Sequence, residues 1–460
     1  MDLKLFLATL AGKILAFVIR LFGSGATAAP GLIALKIDPN FVRKLNRKIK
    51  FGSVIVSGTN GKTTTTRLIY DILSTKYKVI HNRQGSNLLR GIASTLIANS
   101  SILGKLKFDL ALWELDEAIL PEAIENVSPK TIVLLNLFRD QLDRYGEVDS
   151  IRAKWQKSLR TLPKNTTLIL NCDDPGISIL ENSFAGKKIF FGVSDSKVKL
   201  PAVVGVADVK HCLVCGAGLI FTAQLSAHLG HYRCSNCDFR RPTPNVSTVN
   251  LNFKPDFSTS ITLSTNGQTL NINYSLPGLY NVYNILAAAA VSSHYNIDFS
   301  TVKNKIKEFS TAFGRFQKTK IKDRKLVTFL IKNPAGANEV IRTISQLSKI
   351  NLLVILNDKI ADGRDVSWIW DTDWEILKDK VDNIFISGIR RFDMALRLKY
   401  AGFKLSKNNI YKEVNYSILN ALQKLSTKDT LIVLPTYTAL LDVQKTLNRE
   451  GEKVAKWQKQ

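Results

Sequence analysis

One stretch decides the fold of this chain, and it reads Val54-Ile55-Val56-Ser57-Gly58-Thr59-Asn60-Gly61-Lys62-Thr63-Thr64-Thr65-Thr66. A β-branched run leads into a glycine turn, and Lys62-Thr63 then opens a segment with apolar residues at helical spacing. A strand, a glycine loop and a helix in direct succession are the context of a phosphate-binding loop. Backbone N–H groups and the positive end of the helix dipole can there close on phosphate oxygens.

The residue types of this loop predict separate tasks. We expect Lys62 to reach the β- and γ-phosphates of a nucleotide and the Thr63 hydroxyl to bind Mg²⁺. The full consensus has a glycine where this chain has Val56, so Gly58 and Gly61 make the turns instead. The alternative is a loop that only joins a strand to a helix, which Gly-Lys-Thr in this setting argues against. The predicted ATP-binding residues of the loop are Gly58, Thr59, Asn60, Gly61, Lys62, Thr63 and Thr64.

Strand-like and helical segments alternate after this loop, which predicts an α/β fold with a parallel sheet and helices on both faces. A length of 460 residues predicts two or three domains. We expect an N-terminal apolar and basic helix with its lead-in over residues 1–50. An ATP-binding domain over residues 51–312 and a smaller C-terminal α/β domain over residues 313–460 would follow.

Acidic residues follow two of the predicted strands. In sheets of this kind, ligands bind beyond the carboxyl ends of the strands. Glu114 comes at the end of a buried strand, and Asp140 and Asp143 follow the next strand. A carboxylate beside a triphosphate can hold Mg²⁺ directly or through water. Glu114 is therefore the predicted magnesium ligand, with an N-cap or a surface ion pair as the alternative, and Asp140 is a weaker candidate.

Four of the five cysteines form two Cys-x-x-Cys pairs separated by eighteen residues, and Cys172 stands alone. This spacing is typical of a zinc ribbon, in which each pair supplies two thiolates and the pairs close a tetrahedron. We expect structural zinc without a catalytic role, inserted in the ATP-binding domain over residues 205–245. Metal-binding thiols also suit a reducing cytoplasm. The predicted ligands are Cys212, Cys215, Cys234 and Cys237.

The net charge is +26, which favours an anionic partner such as nucleic acid, an acidic substrate or a membrane surface. The first helical segment, 3–22, is apolar but contains Lys4, Lys13 and Arg20. Charges inside the apolar run argue against a signal peptide, and Lys13 near its middle argues against a membrane-spanning helix. A helix lying in the membrane interface and a helix packed on the protein's own core both remain open.

Two polar features appear further along the chain. Asn281 and Asn284 lie one turn apart at a predicted helix start, where an amide can pair with an adenine edge. N-capping and close helix packing are the alternative. The segment 357–373 contains five aspartates and two tryptophans, which predicts a contact surface, since tryptophan is a favoured interface anchor. A solvated acidic loop is the alternative there.

These motifs, in type and order, resemble the Mur ligase family. The resemblance covers residues 30–440, and the Cys₄ insert together with the stretches 140–146, 333–339 and 362–368 narrows it to the MurT branch of that family. MurT-type proteins are the synthetase subunits of lipid II isoglutaminyl synthases. The family motifs are the loop 58–63, Glu114, the stretch 171–175, the pair Asn281 and Asn284, and Gly314-Arg315.

The resemblance implies a carbon–nitrogen ligase of peptidoglycan synthesis, with glutamine as the amido donor. ATP would phosphorylate the α-carboxylate of D-glutamate in the lipid II stem peptide, and ammonia would convert the acyl phosphate to D-isoglutamine. The ammonia would come from a separate glutaminase subunit, GatD, in a heterodimer. The implied cofactors are ATP, Mg²⁺ and Zn²⁺. The implied location is cytoplasmic, at the inner face of the membrane where lipid II lies, with no nucleic-acid partner.

The resemblance also assigns roles to residues. Lys62, Thr63 and Glu114 would handle phosphate and Mg²⁺, while Asn281 would contact adenine and Arg315 would approach the phosphates. Asp365 would complete the Cys–His pair of the partner glutaminase, because an orienting carboxylate fixes the histidine tautomer. The counterpart of the carbamoylated lysine of amino-acid-adding Mur ligases would be Lys154, although its spacing differs slightly.

Three departures from the wider family bear on the nucleophile. Gln141, Tyr280 and Lys332 stand where amino-acid-adding ligases usually have histidine. These departures favour ammonia over an amino acid. A Mur or folylpolyglutamate ligase that adds an amino acid is the second hypothesis. A zinc-ribbon ATPase that binds nucleic acid is the third, motivated by the charge.

Overall fold

The computed structural model describes residues 2–22, 28–82, 86–138, 148–200, 209–265, 267–309 and 316–450. The predictions for Asp140, Asp143, Gln141 and Arg315 lie outside these ranges. The helices are α1 (Leu3–Leu21), α2 (Ala29–Ile37), α3 (Phe41–Asn46), α4 (Lys62–Leu73), α5 (Leu89–Asn99), α6 (Leu120–Val127), α7 (Val148–Leu159), α8 (Pro175–Ser178), α9 (Leu279–His294), α10 (Phe299–Glu308), α11 (Pro334–Ile344), α12 (Arg391–Tyr400), α13 (Val414–Lys424) and α14 (Tyr437–Arg449).

The strands form three sheets. The strands are β1 (Ser53–Ser57), β2 (Val79–His81), β3 (Leu110–Glu114), β4 (Thr131–Leu134), β5 (Thr167–Asn171), β6 (Lys187–Val193), β7 (Leu219–Ser226), β8 (Leu229–Cys234), β9 (Val246–Phe253), β10 (Thr259–Thr265), β11 (Gln268–Tyr274), β12 (Phe316–Ile321), β13 (Arg324–Phe329), β14 (Ile350–Ile355), β15 (Val381–Ser387) and β16 (Thr430–Pro435).

The large sheet has the order β11-β10-β9-β6-β5-β4-β1-β3-β2. Its neighbours from β9 to β2 pair in parallel, which agrees with the predicted parallel sheet, whereas β9, β10 and β11 pair antiparallel. Side chains of β1 alternate between two cores: Val54 and Val56 face the core that contains α4 and α9, and Ile55 faces the core that contains α5 and α7. Buried on both faces, β1 lies near the middle of the sheet and fixes the start of the glycine loop.

The second sheet has the order β12-β13-β16-β14-β15, with β12 antiparallel to β13 and the other pairs parallel. It belongs to the predicted smaller α/β unit. Phe257, from the turn between β9 and β10, packs on Phe316 and Phe329 of this unit with ring centroids 6.1 and 5.4 Å apart. This contact joins the two sheets through a continuous apolar core.

The N-terminal helix α1 packs against α2 and α5 through Leu5, Ala8, Thr9 and Gly12, which are buried. Packing on the protein's own core, one of the two expectations for this helix, is thus observed for one face. Across the part of the chain that the structure describes, no helix has both the length and the apolar content that a membrane crossing requires.

Candidate active site

The glycine loop joins β1 to α4 as the sequence predicts. Gly61 is the residue before the helix and has φ +87°, a left-handed conformation that favours glycine. A Cβ atom built on Gly61 would lie 2.2 Å from Asn284 Oδ1, so the loop and α9 approach too closely for a side chain here. A Cβ atom built on Gly58, which has φ +141°, would lie 3.0 Å from the backbone N and O of Asn136. The loop therefore presents backbone, rather than side chains, to the space above the sheet.

Lys62, the first residue of α4, is held at the mouth of this loop. Its Nζ donates to the carbonyl oxygens of Gly58 and Thr59 and lies 2.8 Å from Glu117 Oε2. Burial lowers the pKa of Lys62, but the charge and hydrogen bond of Glu117, with Asp116 and Glu114 nearby, outweigh it and raise the pKa. Lys62 is therefore a fixed cation at neutral pH, held at the end of the glycine loop by two loop carbonyls and Glu117.

Glu114 and Thr63 meet beside this lysine. Thr63 Oγ1 donates to Glu114 Oε1 at 2.7 Å. Glu114 ends β3, and its backbone is clamped by Asn82, whose side chain accepts from Glu114 N at 2.9 Å and donates to its carbonyl at 2.8 Å. A hydroxyl and a carboxylate at the carboxyl end of a parallel sheet are the hard oxygen donors that Mg²⁺ prefers. The donor set fits the predicted magnesium site.

Two asparagines, Asn136 and Asn333, hold the glycine loop through hydrogen bonds to Asn60. Asn136, after β4, accepts from Asn60 N at 2.8 Å and donates to its carbonyl at 3.0 Å. Asn333 of the smaller unit donates to Asn60 Oδ1 at 3.1 Å. The loop is thereby tied both to the neighbouring strand and to the second sheet, so the two units share this site.

A cleft opens beside the loop, between α9, α11 and the turn between β7 and β8. Asn281 and Asn284 line it, and Asn284 Oδ1 accepts from Thr65 Oγ1 at 3.0 Å while Asn281 donates to Pro277 O at 2.7 Å. Both asparagines stand in the first turns of α9, as predicted. The other lining residues are Asn60, Gly61, Thr64, Asn136, Phe138, Ser226, Leu229, Leu279, Tyr280, Tyr283, Phe316, Leu330, Lys332, Ala335, Gly336, Glu339 and Val340.

The four paired cysteines converge although they come from separate turns. Their Sγ atoms all lie within 4.8 Å of one another. Asn236 N donates to Cys234 Sγ at 3.3 Å and Val214 N to Cys212 Sγ at 3.4 Å. Burial raises the pKa of Cys234, but such N–H donors and the neighbouring thiols outweigh it and lower the pKa to about 6. Four convergent sulfurs, two of which accept from backbone N–H groups, fit a tetrahedral zinc site.

The hairpin that carries these cysteines is fastened to the large sheet. Gly230 N donates to Asp173 O at 2.9 Å, and the Tyr232 hydroxyl is hydrogen-bonded to Ser178 Oγ. Asp173 is fully buried, pairs with Arg241 and accepts from the Tyr283 hydroxyl at 2.8 Å. Because Ser226 and Leu229 at the other end of this hairpin line the cleft, the cysteine site and the cleft are two ends of one element.

Loss of the metal is therefore expected to weaken nucleotide binding. We predict about one zinc per chain by elemental mass spectrometry and at least about a fivefold rise in the dissociation constant for an ATP analogue in Cys234→Ser, because the cleft wall loses its anchor. Val214→Ala, at an exposed position between Cys212 and Cys215, is the matched control. Unchanged nucleotide affinity in a metal-free Cys234→Ser protein would contradict a supporting role of the cysteine site for the cleft.

Two family models match this chain. Residues 56–292 match the Mur ligase middle domain, and residues 330–440 match the MurT ligase C-terminal domain. The MurT subunit of the glutamine-hydrolysing lipid II isoglutaminyl synthase of Staphylococcus aureus (strain COL) is 32% identical over 94% of this chain and 95% of its own length. Its Streptococcus pneumoniae counterpart (strain ATCC BAA-255 / R6) is 33% identical over 97% and 98%. The chain belongs to the MurT family.

As a member of this family of ligases, the chain has a Mur-ligase-like fold. A pseudomurein peptide ligase type C from Methanothermus fervidus superposes with a TM-score of 0.66 at 22% identity, covering 88% of this chain and 80% of that one. The curated MurT relatives are named as one subunit of their synthase, which implies a partner subunit for those proteins.

The MurT C-terminal region contains the aspartate-rich loop. Asp365 follows β14 at the carboxyl end of the second sheet, is half-buried, and accepts from Ser367 N through Oδ1 at 2.8 Å. Asp362 is buried instead and accepts from Thr438 N at 2.7 Å. Asp362 therefore holds the loop to α14, while Asp365 keeps one carboxylate oxygen outside that hydrogen bond. The loop is thus partly structural, which the sequence did not distinguish.

Sequence reasoning missed several residues of the site. Glu117 was not predicted as the partner of Lys62, and Asn82 and Asn136 were not predicted at all. The signal for Glu117 was present, since an acidic residue in the buried turn after a strand needs a cation. Lys154 is exposed on α7, and its role as the counterpart of a carbamoylated lysine stays a prediction.

Proposed function

We propose that this chain is the synthetase subunit of a lipid II isoglutaminyl synthase in peptidoglycan synthesis. It would use ATP to activate the α-carboxylate of D-glutamate in the lipid II stem peptide as an acyl phosphate. Ammonia would then displace phosphate and leave D-isoglutamine. The names of the curated MurT relatives support the reaction, and their coverage of nearly the whole chain supports its transfer to this protein.

The observation that carries the proposal is the convergence of Lys62, Thr63 and Glu114 at one end of β1 and β3. Lys62 Nζ, which donates to the Gly58 and Thr59 carbonyls, can turn to phosphate oxygens and remain charged. Phosphoryl transfer depends on alignment and charge neutralisation more than on covalent help from the protein. This lysine and the loop amides that do not donate to Asn136 would supply both.

Mg²⁺ bound at Thr63 and Glu114 would add positive charge between the phosphates. Their 2.7 Å hydrogen bond places both oxygens on the same side of the loop, as such a ligand set requires. We infer that Asn281 orients the adenine ring, since it lines the cleft beside the loop. Arg315 is proposed to approach the phosphates, and Asp140, Asn284 and Lys154 remain weaker candidates for the site. Zn²⁺ at the four cysteines is proposed to be structural.

Ammonia is proposed to come from a GatD-type glutaminase bound to the C-terminal unit, which takes residues 313–460 in our proposed division. Asp365 would complete the partner's Cys–His pair by accepting the histidine N–H and fixing its tautomer. The half-buried Asp365, with Oδ1 held by Ser367 N, is a pre-oriented carboxylate at the edge of the sheet. The exposed Trp370 beside Arg397, 5.5 Å from ring centroid to guanidinium, suits an interface anchor.

The proposed reaction is tested with the purified chain and a glutaminase subunit. Lipid II labelled with ¹⁸O in the D-glutamate α-carboxylate should yield amidated lipid II and one ¹⁸O atom in the released phosphate, because the acyl phosphate transfers a carboxylate oxygen. Ammonium should replace glutamine and the partner. Amidation that leaves unlabelled phosphate would contradict the acyl phosphate, and transfer of an amino acid in place of ammonia would favour the second hypothesis.

A further inference from the structure

The N-terminal helix α1 has one face that packs on the protein and one that does not. A Cβ on Gly12 would lie 2.6 Å from Ile97 Cδ1, so α1 and α5 are in close contact. At the helix start Asp2 accepts from Leu5 N at 3.1 Å and pairs with Lys44 at 2.7 Å. The helix is thus fixed to the body of the protein in one orientation, and its other face is a defined surface.

That outer face is apolar and exposed. Its large side chains have exposed fractions between 39% and 82%. At about 100° per residue, the positions on the helix fall within roughly a third of its circumference, so they form one continuous stripe. A contiguous apolar surface of this kind marks an interaction site on a water-exposed protein. The stripe consists of Leu3, Leu7, Ile14, Phe17, Val18 and Leu21, with Phe22 beyond the helix end.

Cations border the stripe on both sides. Lys13 and Arg20 lie along one edge and Lys4 along the other, and the helix contains no acidic residue. None of the three forms an ion pair with another residue that the structure describes. An apolar stripe between cationic edges is the pattern of a helix that lies in the headgroup layer of an anionic bilayer. The edges would repel a basic protein surface, including a second copy of this chain with its net charge of +26.

We propose that the outer face of α1 docks on an anionic membrane, with the helix parallel to the bilayer and Leu7, Phe17 and Leu21 in the boundary between headgroups and acyl chains. The location of α1 also suits a lipid-linked substrate, a point that rests on the proposed function. The helix packs on α5, which begins shortly after Asn87, and the Asn87 carbonyl accepts from Asp116 N at 3.0 Å beside Glu114. α5 therefore connects the docking helix to the turn that follows Glu114.

The test is flotation of the full chain with vesicles of phosphatidylcholine alone or of equal parts phosphatidylcholine and phosphatidylglycerol, without nucleotide. The intact chain should float with the anionic vesicles and much less with the neutral ones. Phe17→Glu/Leu21→Glu should reduce partitioning at least about tenfold, since two apolar side chains lose their burial. Arg20→Glu should reduce it on anionic vesicles only. Val249→Glu, at an exposed apolar position on β9, is the control.

Two results would overturn the proposal. They are an intact chain that does not float with anionic vesicles, or a Phe17→Glu/Leu21→Glu variant that floats as well as the intact chain. Equal thermal unfolding of variant and parent establishes that the fold is retained. Because no chemistry is needed for flotation, Lys62→Ala should bind vesicles normally. A failed docking prediction therefore leaves the ligase proposal standing, and the reverse also holds.

Discussion

Lys62→Ala is expected to lower the rate of lipid II amidation by at least about 10²-fold, with glutamine and with free ammonium alike. Lys62 is the cation at the mouth of the glycine loop, and its loss leaves Glu117 without its 2.8 Å partner. Removal of one pre-organised donor from a charge-developing centre typically lowers the rate by about 10²–10³-fold. The measurement is the initial rate of amidation with each nitrogen source.

The control for this prediction is Lys105→Ala, which removes an exposed lysine far along the chain from the loop. It should leave both rates unchanged. An Lys62→Ala protein that still amidates with ammonium at the parental rate would refute the assignment of the phosphate site. A loss of the glutamine-driven rate alone would indicate that Lys62 affects the supply of ammonia by the partner and not phosphoryl transfer.

Asp365→Asn, unlike Lys62→Ala, is expected to lower the amidation rate with glutamine but not with free ammonium. The amide keeps an oxygen that can accept from Ser367 N, so the loop should hold its conformation, but the negative charge that would fix the partner's histidine is lost. We expect glutamine-driven amidation to fall by about 10³–10⁴-fold, in line with other orienting carboxylates, while the ammonium-driven rate is unchanged. Both rates are measured with the reconstituted complex.

Asp371→Asn is the matched control, since Asp371 is exposed in the same segment and only its backbone carbonyl takes part in a described hydrogen bond, from Asn338. It should not alter either rate. Loss of both rates in Asp365→Asn would remove this residue from the triad role and indicate a structural effect. Retention of the glutamine-driven rate would place the third triad member elsewhere.

The local features of the fold and of the candidate site were predictable from the sequence. The strand, glycine loop and helix at residues 53–73 and the convergence of the four cysteines follow from contiguous patterns that encode their own geometry. The parallel order of the large sheet also followed from the alternation of elements, whereas its antiparallel edge, β9 to β11, did not. The proposed role of the aspartate-rich segment 357–373 came from the resemblance to the MurT branch. Its composition alone left both a contact surface and a solvated loop open.

The remaining parts depend on contacts between distant residues. Nothing near Lys62 in sequence shows that Glu117 lies 2.8 Å away, and nothing near Asn60 shows that Asn333 of the second unit reaches it. The same holds for α1: its periodicity shows an amphipathic helix, but the packing of Gly12 on Ile97 decides which face stays exposed. Sequence patterns indicate elements, while tertiary packing selects their neighbours.

The central claim is that the backbone amides of residues 58–63 and Lys62 hold the phosphates of ATP. Its most direct test is a crystal structure of the chain with a non-hydrolysable ATP analogue and Mg²⁺. We expect the β- and γ-phosphates to lie within hydrogen-bond distance of Lys62 Nζ, and the metal to lie on Thr63 and Glu114. A nucleotide bound elsewhere on the chain, with this loop empty at saturating analogue, would contradict the claim.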